Sequence, residues 1–204
     1  MKFYAVILGM IMTLTMATTP AVSAEAPIAF VNALTDDIIT NVLQSNDTQT
    51  EKLNRFRQSF EKALDMKSIG QFVLGAYWRK ASNEERTAFL NAFIDFTTKT
   101  WADRFDSYTG QQIIFSGTRN AEGKNQLYVN STIENNPPVE VIWRLKQTKT
   151  GDYQIIDIIV EGVSMAMSYR NEYSAFLQKH GGKLPTLIQE LEQKSADFKF
   201  TDKE

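Results

Sequence analysis

The sequence contains no cysteine and a single histidine, His180. Disulfide bonds, thiolate metal sites and catalytic thiols are therefore excluded. Metal coordination would have to rely on carboxylates, and no acidic loop has the spacing of a calcium site. Glycine-rich phosphate loops are absent as well. The sequence accordingly predicts neither a metal nor a cofactor.

An excess of charge of either sign is also lacking. The chain has 22 basic and 24 acidic residues, a formal net charge of −2, and the two signs are interspersed. Nucleic-acid-binding proteins usually carry a basic patch or stripe. No nucleic-acid partner is expected.

Long apolar runs occur only at the N-terminus, where residues 3–16 carry no charge. This run is too short to span a bilayer comfortably. The small residues Val22, Ser23 and Ala24 follow it, as before a signal-peptidase cleavage site. An uncleaved anchor is the alternative, but no basic residues flank the run on its C-terminal side. We expect residues 1–24 to be a cleaved signal peptide, 25–194 one domain, and 195–204 a polar C-terminal tail.

Apolar residues spaced three or four apart indicate helices in both halves of the chain. Ser82 and Glu85 have the spacing of a capping box, which marks a helix start. Gly75 is suited to ending a helix in the left-handed conformation. The predicted helices cover residues 27–43, 48–64, 65–74, 82–108, 164–179 and 184–194.

After Gly110 the apolar period changes from helical to alternating, which is typical of strands. Short polar turns separate four such segments, so an antiparallel meander is expected. The predicted strands cover residues 112–118, 126–134, 139–146 and 153–160. The fold class is therefore α+β, with N-terminal helices, one four-stranded antiparallel sheet and C-terminal helices.

Ser164 lies between a predicted strand and a predicted helix, in partial resemblance to the G-x-S-x-G nucleophile elbow of hydrolases. Ala166 replaces the last glycine of that motif. His180 lies about 24 Å away along the following helix, too far to act as a base. We interpret Ser164 as a helix N-cap and His180 as a C-terminal capping residue. The chain is not expected to be an enzyme.

Apolar residues occupy both faces of the strand at 153–160, where only Asp157 interrupts them. A strand of this kind is either buried on both faces or borders a cavity. Helices could sandwich the sheet in a dry core, or an apolar pocket could cover one face. The pattern alone does not separate these alternatives.

Two segments resemble the signature of the MlaC family of periplasmic phospholipid-binding proteins, also called toluene-tolerance auxiliary proteins. The first is Phe72-Val73-Leu74-Gly75-Ala76-Tyr77-Trp78-Arg79. The second is Asp157-Ile158-Ile159-Val160-Glu161-Gly162-Val163-Ser164-Met165, followed by Ser168-Tyr169-Arg170-Asn171-Glu172-Tyr173. The order and context of the two segments match the family.

The resemblance implies a soluble periplasmic carrier that encloses the acyl chains of a phospholipid in an apolar cavity. It implies lipid exchange with an inner-membrane ABC transporter complex and with an outer-membrane lipoprotein associated with porin, which maintains outer-membrane lipid asymmetry. The phospholipid would be cargo rather than a cofactor, and the chain a monomer. The alternative function is a secreted adaptor with a dry core and no lipid.

Strand alternation and the family segments together supply the candidate acyl-chain contacts. These are Tyr77, Trp101, Phe105, Val129, Val141, Trp143, Ile156, Ile158, Val163 and Met167. Arg170 is the candidate contact for a lipid head group, and a salt bridge to Asp157 or Glu161 is its alternative role.

Overall fold

The computed structural model describes residues 25–106, 108–121 and 125–199. The predicted signal peptide lies outside the described residues. No helix in the described part of the chain is long and apolar enough to cross a membrane.

The N-terminal half is helical. Helix α1 is followed without a break by a π-helical segment, Ile38–Leu43. The helices are α1 (Glu25–Asp37), α2 (Gln49–Ala63), α3 (Met66–Leu74), α4 (Ala76–Lys80) and α5 (Asn83–Asp106). The C-terminal helices are α6 (Met165–Lys179) and α7 (Leu184–Ala196).

The predicted capping box before α5 is confirmed. The Ser82 backbone N–H donates to Glu85 Oε2 at 2.9 Å, and the Glu85 N–H donates to Ser82 Oγ at 3.1 Å. Each side chain thus satisfies a backbone donor that the first helical turn leaves without an intrahelical partner. Gly75 ends α3 with φ of +54°, as expected for a residue without a Cβ.

The sheet contains β1 (Ile113–Asn120), β2 (Gln126–Ile133), β3 (Val139–Gln147), β4 (Tyr153–Val160) and β5 (Val163–Ser164). Its order is β1-β2-β3-β4-β5 and every pair is antiparallel. The α+β meander is confirmed, but the count of four strands was wrong. Glu161 and Gly162 have φ of +49° and +76°, and this tight turn brings Val163 back beside Val160.

A bulge in β4 changes which of its residues share a face. Leu145 pairs with Ile155 and Trp143 pairs with Ile158, so Ile156 has no partner in the ladder. Strict alternation of side chains along the strand would place Ile156 on the same face as Ile158. The extra residue instead puts Ile155 and Ile158 on one face, and both are buried.

Helix α7 continues two residues past its predicted end at 194. Ser195 is 5% exposed, and its carbonyl accepts a 2.8 Å hydrogen bond from Lys99 Nζ on α5. The segment from Ser195 therefore begins as packed helix rather than as a polar tail.

Aromatic rings join α5 to α6. Phe89 and Phe93 stack at 5.5 Å between centroids, and Tyr173 meets both rings edge to face at 6.4 and 6.1 Å. These contacts fix the distance between α5 and α6. Both helices border the site described next.

Candidate functional site

An apolar cavity of about 330 Å³ lies between one face of the sheet and the helices α1 and α5. We call it the first chamber. Its described lining residues are Thr35, Ile39, Trp101, Arg104, Phe105, Tyr108, Gln111, Ile113, Ile133, Asn135, Val139, Val141, Trp143, Ile158 and Val160. Most of these side chains are aliphatic or aromatic, so the chamber suits an apolar ligand.

The helical wall of the first chamber comes mainly from α5. Trp101 and Phe105 are four residues apart on α5, which places them on one side of that helix. Tyr108 lies just beyond the end of α5 and also lines the chamber. The Trp101 and Phe105 rings are 6.4 Å apart, and Phe56 of α2 packs 5.4 Å from Phe105. The aromatic wall is thus supported from behind by a second helix.

The sheet wall is built by cross-strand neighbours. Ile113 pairs with Ile133, and Ile133 pairs with Val139, so one apolar row crosses three strands. Val141 pairs with Val160 in the same way. Directly paired residues lie on the same face of a sheet, so these side chains converge on the chamber.

Trp143 is held in the sheet wall by a buried polar contact. Its Nε1–H donates to Ser131 Oγ at 2.9 Å, and Ser131 Oγ donates to the Val141 carbonyl at 3.0 Å. Ser131 is 1% exposed. The polar atom of the indole is therefore satisfied within the sheet, and the ring is left as an apolar surface.

A second chamber of about 420 Å³ adjoins the first. Its described lining residues are Phe96, Thr100, Trp101, Arg104, Ile158, Val160, Val163, Met165, Ser168, Tyr169 and Glu172. Trp101, Arg104, Ile158 and Val160 belong to both linings. The two chambers therefore meet at these four side chains.

Charge is scarce in both linings. Among the described residues, Arg104 is the single charged residue of the first chamber, and Glu172 joins it in the second. Burial raises the pKa of Tyr169 to about 12, against smaller lowering effects of Arg104 and Trp101. Burial also raises the pKa of Tyr173. Both phenols stay neutral near pH 7, so they add no charge around the second chamber.

The turn into α6 is anchored by Asp157. This carboxylate accepts from Ser164 Oγ at 2.5 Å and from the Ala166 backbone N–H at 3.0 Å. Ser164 Oγ in turn accepts from the Met167 N–H at 3.1 Å, which confirms the N-cap. Ser164 is thus a structural hydroxyl without a histidine beside it.

His180 ends α6. Its backbone N–H donates to the carbonyls of Phe176 and Leu177, and its Nδ1 lies 2.8 Å from the Phe176 oxygen. The imidazole also stacks on Phe176 at 4.1 Å. This is the predicted capping position. In the described part of the chain, no group of three or more His, Cys, Asp or Glu side chains could hold a metal ion.

Six of the ten candidate contacts lie in a chamber wall. Trp101, Phe105, Val141, Trp143 and Ile158 line the first chamber, and Trp101, Ile158 and Val163 line the second.

The other four candidates line neither chamber, for four different reasons. Val129 is fully buried in the packed core, and Ile156 occupies the β4 bulge. Tyr77 lies on α4 and borders a separate cleft beside Gly182. Met167 is 44% exposed on α6.

Arg170 does not line a chamber either. Its Nη1 donates to the Phe72 carbonyl at 3.0 Å, and its guanidinium lies 4.8 Å from the centre of the Phe72 ring. It therefore caps the C-terminal end of α3. Neither alternative salt bridge, to Asp157 or to Glu161, is present among the described residues, and the predicted head-group contact stays a prediction.

Several lining residues were not among the predicted contacts. Ile133 and Val139 could have been found from strand alternation, since each lies in register with another apolar residue. Thr35 of α1 and Ile39 of the π-helical segment after it are distant in sequence from the strands, and only tertiary packing brings them to the sheet. Arg104 is charged, so a search for apolar patterns does not mark it as a lining residue.

Comparisons with known proteins agree on one family. The family model described as MlaC protein matches residues 30–193. The intermembrane phospholipid transport system binding protein MlaC of Haemophilus influenzae is 22% identical over 206 residues, covering 96% of this chain and 94% of the relative. Toluene tolerance protein ttg2D of Pseudomonas putida is 20% identical over 185 residues, covering 88% and 86%.

A solved structure has the same fold. The phospholipid-binding protein from Ralstonia solanacearum, solved in complex with a phospholipid, superposes with a TM-score of 0.72 at 24% identity. The match covers 82% of this chain and 96% of that one.

Proposed function

Because this chain belongs to the MlaC protein family, we propose that it binds a phospholipid with its acyl chains in the two chambers and its head group towards solvent. The observation that carries the proposal is the pair of adjoining chambers of about 330 and 420 Å³, of which the first is lined mostly by aliphatic and aromatic side chains. Ligand pockets commonly measure about 300–1,000 Å³. The Haemophilus relative is named for phospholipid transport and the Ralstonia protein for phospholipid binding, and both names support phospholipid as the cargo.

The energetics of such a carrier require a membrane as the source of lipid. Burying about 30 methylenes from water would gain on the order of 25 kcal/mol. That exceeds the practical ceiling of about 18–21 kcal/mol for non-covalent affinity. Lipid that starts in a bilayer is already in an apolar phase, so extraction into the chambers is close to neutral. A protein of this kind moves lipid without performing chemistry on it.

The proposed place of action is the periplasm, reached after cleavage of the N-terminal signal peptide. There the protein would act as a monomer. It would pass lipid between an inner-membrane ABC transporter complex and an outer-membrane lipoprotein associated with porin. The name of the Haemophilus relative, which places that protein in an intermembrane transport system, supports this role.

The alternative function, a secreted adaptor without lipid, requires a sheet whose faces are packed without a cavity. The two chambers against the sheet face argue for a cargo instead. The proposed acyl-chain contacts are the six candidates in the chamber walls: Trp101, Phe105, Val141, Trp143, Ile158 and Val163.

Blocking the chambers tests the proposal. Ile158 lines both chambers and is 3% exposed, so Ile158→Trp would fill space that the lipid needs. Overpacking of this kind costs about 1–3 kcal/mol of stability. Val163→Trp offers a milder change, because Val163 is 62% exposed at the second chamber. Ile114→Trp is the matched control, since Ile114 is 47% exposed and lines neither chamber.

The measurement is uptake of labelled phospholipid from vesicles by each folded protein. Wild type and Ile114→Trp should load equally, and Ile158→Trp should load several times less. Val163→Trp should fall between them. Equal loading by all four proteins would show that the lipid does not bind in the chambers. No loading by the wild type would refute the lipid-carrier function.

A further inference from the structure

Arg104 stands where the two chambers meet. It belongs to both linings and follows Trp101 by three residues on α5. Trp101 is 8% exposed, whereas Arg104 is exposed. The junction thus has an apolar indole on the inside and a cation at the solvent rim. An amphiphile needs this order of groups, because its chains leave water and its charged group does not.

The guanidinium of Arg104 is positioned by its neighbours. Its Cζ lies 5.4 Å from the centre of the Trp101 ring, a cation–π distance. Tyr169 lines the second chamber together with Arg104, and the cation has a small lowering effect on the pKa of that phenol. The Tyr169 phenol stays neutral at pH 7, so it does not compete as an anion for the guanidinium.

Other arginines near the sheet are placed differently. Arg170 is bound to the Phe72 carbonyl. In the register of the sheet, Arg119 lies opposite Tyr128 and Arg144 lies opposite Asp157. Each arginine comes one residue after a position on the chamber side of its strand. Because successive strand residues point to opposite faces, both arginines lie on the face away from the chambers. Among the described arginines, Arg104 is the one that lines a chamber.

We propose that Arg104 binds the phosphate of the lipid and, from the junction, directs one acyl chain into each chamber. The planar guanidinium matches a phosphate with two parallel hydrogen bonds. A glycerol backbone held at this point would have one chamber on each side of Trp101. The ligand class that follows is a diacyl lipid with a phosphate group, selected over a neutral diacyl lipid with the same chains. This inference rests on the proposed function.

The test compares two lipids and four proteins. Phosphatidylcholine vesicles carry either labelled phosphatidic acid or labelled diacylglycerol with identical acyl chains. The proteins are wild type, Arg104→Gln, Arg104→Lys and Arg119→Gln. The last variant loses the same charge from an exposed position that lines neither chamber. Circular dichroism confirms that each variant is folded before the equilibrium transfer of label is measured.

Wild type and Arg119→Gln should take up phosphatidic acid better than diacylglycerol. Arg104→Gln should lose about fivefold in affinity for phosphatidic acid, as expected for a solvent-exposed charge pair, and nothing for diacylglycerol. Arg104→Lys should retain part of the preference, because it keeps the charge but not the planar fork.

Two results would overturn the assignment. The first is unchanged phosphatidic acid uptake by Arg104→Gln while the wild type binds both lipids, which leaves the carrier function standing. The second is an equal loss of both lipids in Arg104→Gln, which indicates a role in shaping the chamber. Absence of both lipids from the wild type would refute the proposed function itself.

Discussion

The Oδ1 atom of Asp157 accepts a hydrogen bond of 3.0 Å from the backbone N–H of Ala166. Asp157 is 6% exposed, so this bond joins β4 to the first turn of α6 inside the protein. A carboxylate at a helix N-terminus also interacts favourably with the helix dipole. The short chain between the two residues includes Val163, which lines the second chamber. The bond therefore fixes part of the chamber wall.

Removal of this anchor should destabilise the fold. Asp157→Ala leaves the Ala166 N–H and the Ser164 hydroxyl without their acceptor, and we expect a loss of about 2–3 kcal/mol in the free energy of unfolding. Urea unfolding measures it. Asp36→Ala, at an exposed position of α1, is the control and should change stability by less than about 0.5 kcal/mol. A loss in Asp157→Ala no larger than in the control would contradict this role.

The contact between Trp143 and Ser131 can be measured by a double-mutant cycle. Ser131→Ala leaves the buried indole N–H unpaired, which costs about 1–3 kcal/mol. Trp143→Phe removes that N–H but also some apolar volume. In the double variant no indole N–H remains to be satisfied, so the two losses should be less than additive. Strict additivity in urea unfolding would show that the hydrogen bond contributes nothing.

Asp65 should make stability depend on pH in the acid range. Burial raises its pKa, but hydrogen bonds from Lys146 and Ser68 outweigh that effect, so the pKa lies below its ordinary value. A lowered carboxyl pKa stabilises the fold above the unfolded pKa of about 3.9, and this contribution disappears as pH falls through the folded pKa.

Wild type and Asp65→Asn should therefore differ most in free energy of unfolding near pH 6, and the difference should shrink below about pH 4. Urea titrations from pH 6 to pH 3 give the comparison, with Asp36→Asn as the control for the substitution. A difference that stays constant over this range would show that ionised Asp65 is not the stabilising species.

Loss of the hydroxyl group should change the free energy of unfolding in opposite directions at two tyrosines. The Tyr173 hydroxyl is buried and has no hydrogen-bond partner among the described residues. Tyr173→Phe should therefore raise the free energy of unfolding by about 1 kcal/mol. The Tyr108 hydroxyl donates to the Gln111 carbonyl, so Tyr108→Phe should lower it by a similar amount. Thermal unfolding of both variants decides the sign, and a clear loss in Tyr173→Phe would reveal a partner for that hydroxyl.

Local chemistry made much of the fold predictable. The Ser82–Glu85 capping box, Gly75 and the strand turns act over a few residues, so their effect can be recognised in one stretch of sequence. The β4 bulge at Ile156 and the two-residue strand β5 depend on how neighbouring strands fit together. The alternation of apolar and polar residues along a strand predicts neither the bulge nor the short strand.

The candidate site was predictable to the extent that apolar alternation marks a chamber wall. Trp143 and Ile158 could be found in this way. Arg104 could not, because a charged side chain on a helix is normally a solvated one. Tyr77 lies in a segment that resembles the family signature, but its position on α4 takes it away from the sheet. Family resemblance therefore identified the kind of protein better than it identified the contacts.

Native mass spectrometry of residues 25–204, the part of the chain that follows the predicted signal peptide, produced in a bacterial periplasm, tests the central claim most directly. The account predicts an adduct of phospholipid mass, close to one lipid per protein, that fragments to a diacyl phospholipid. Protein that stays bare after purification, and also after incubation with phospholipid vesicles, would contradict it.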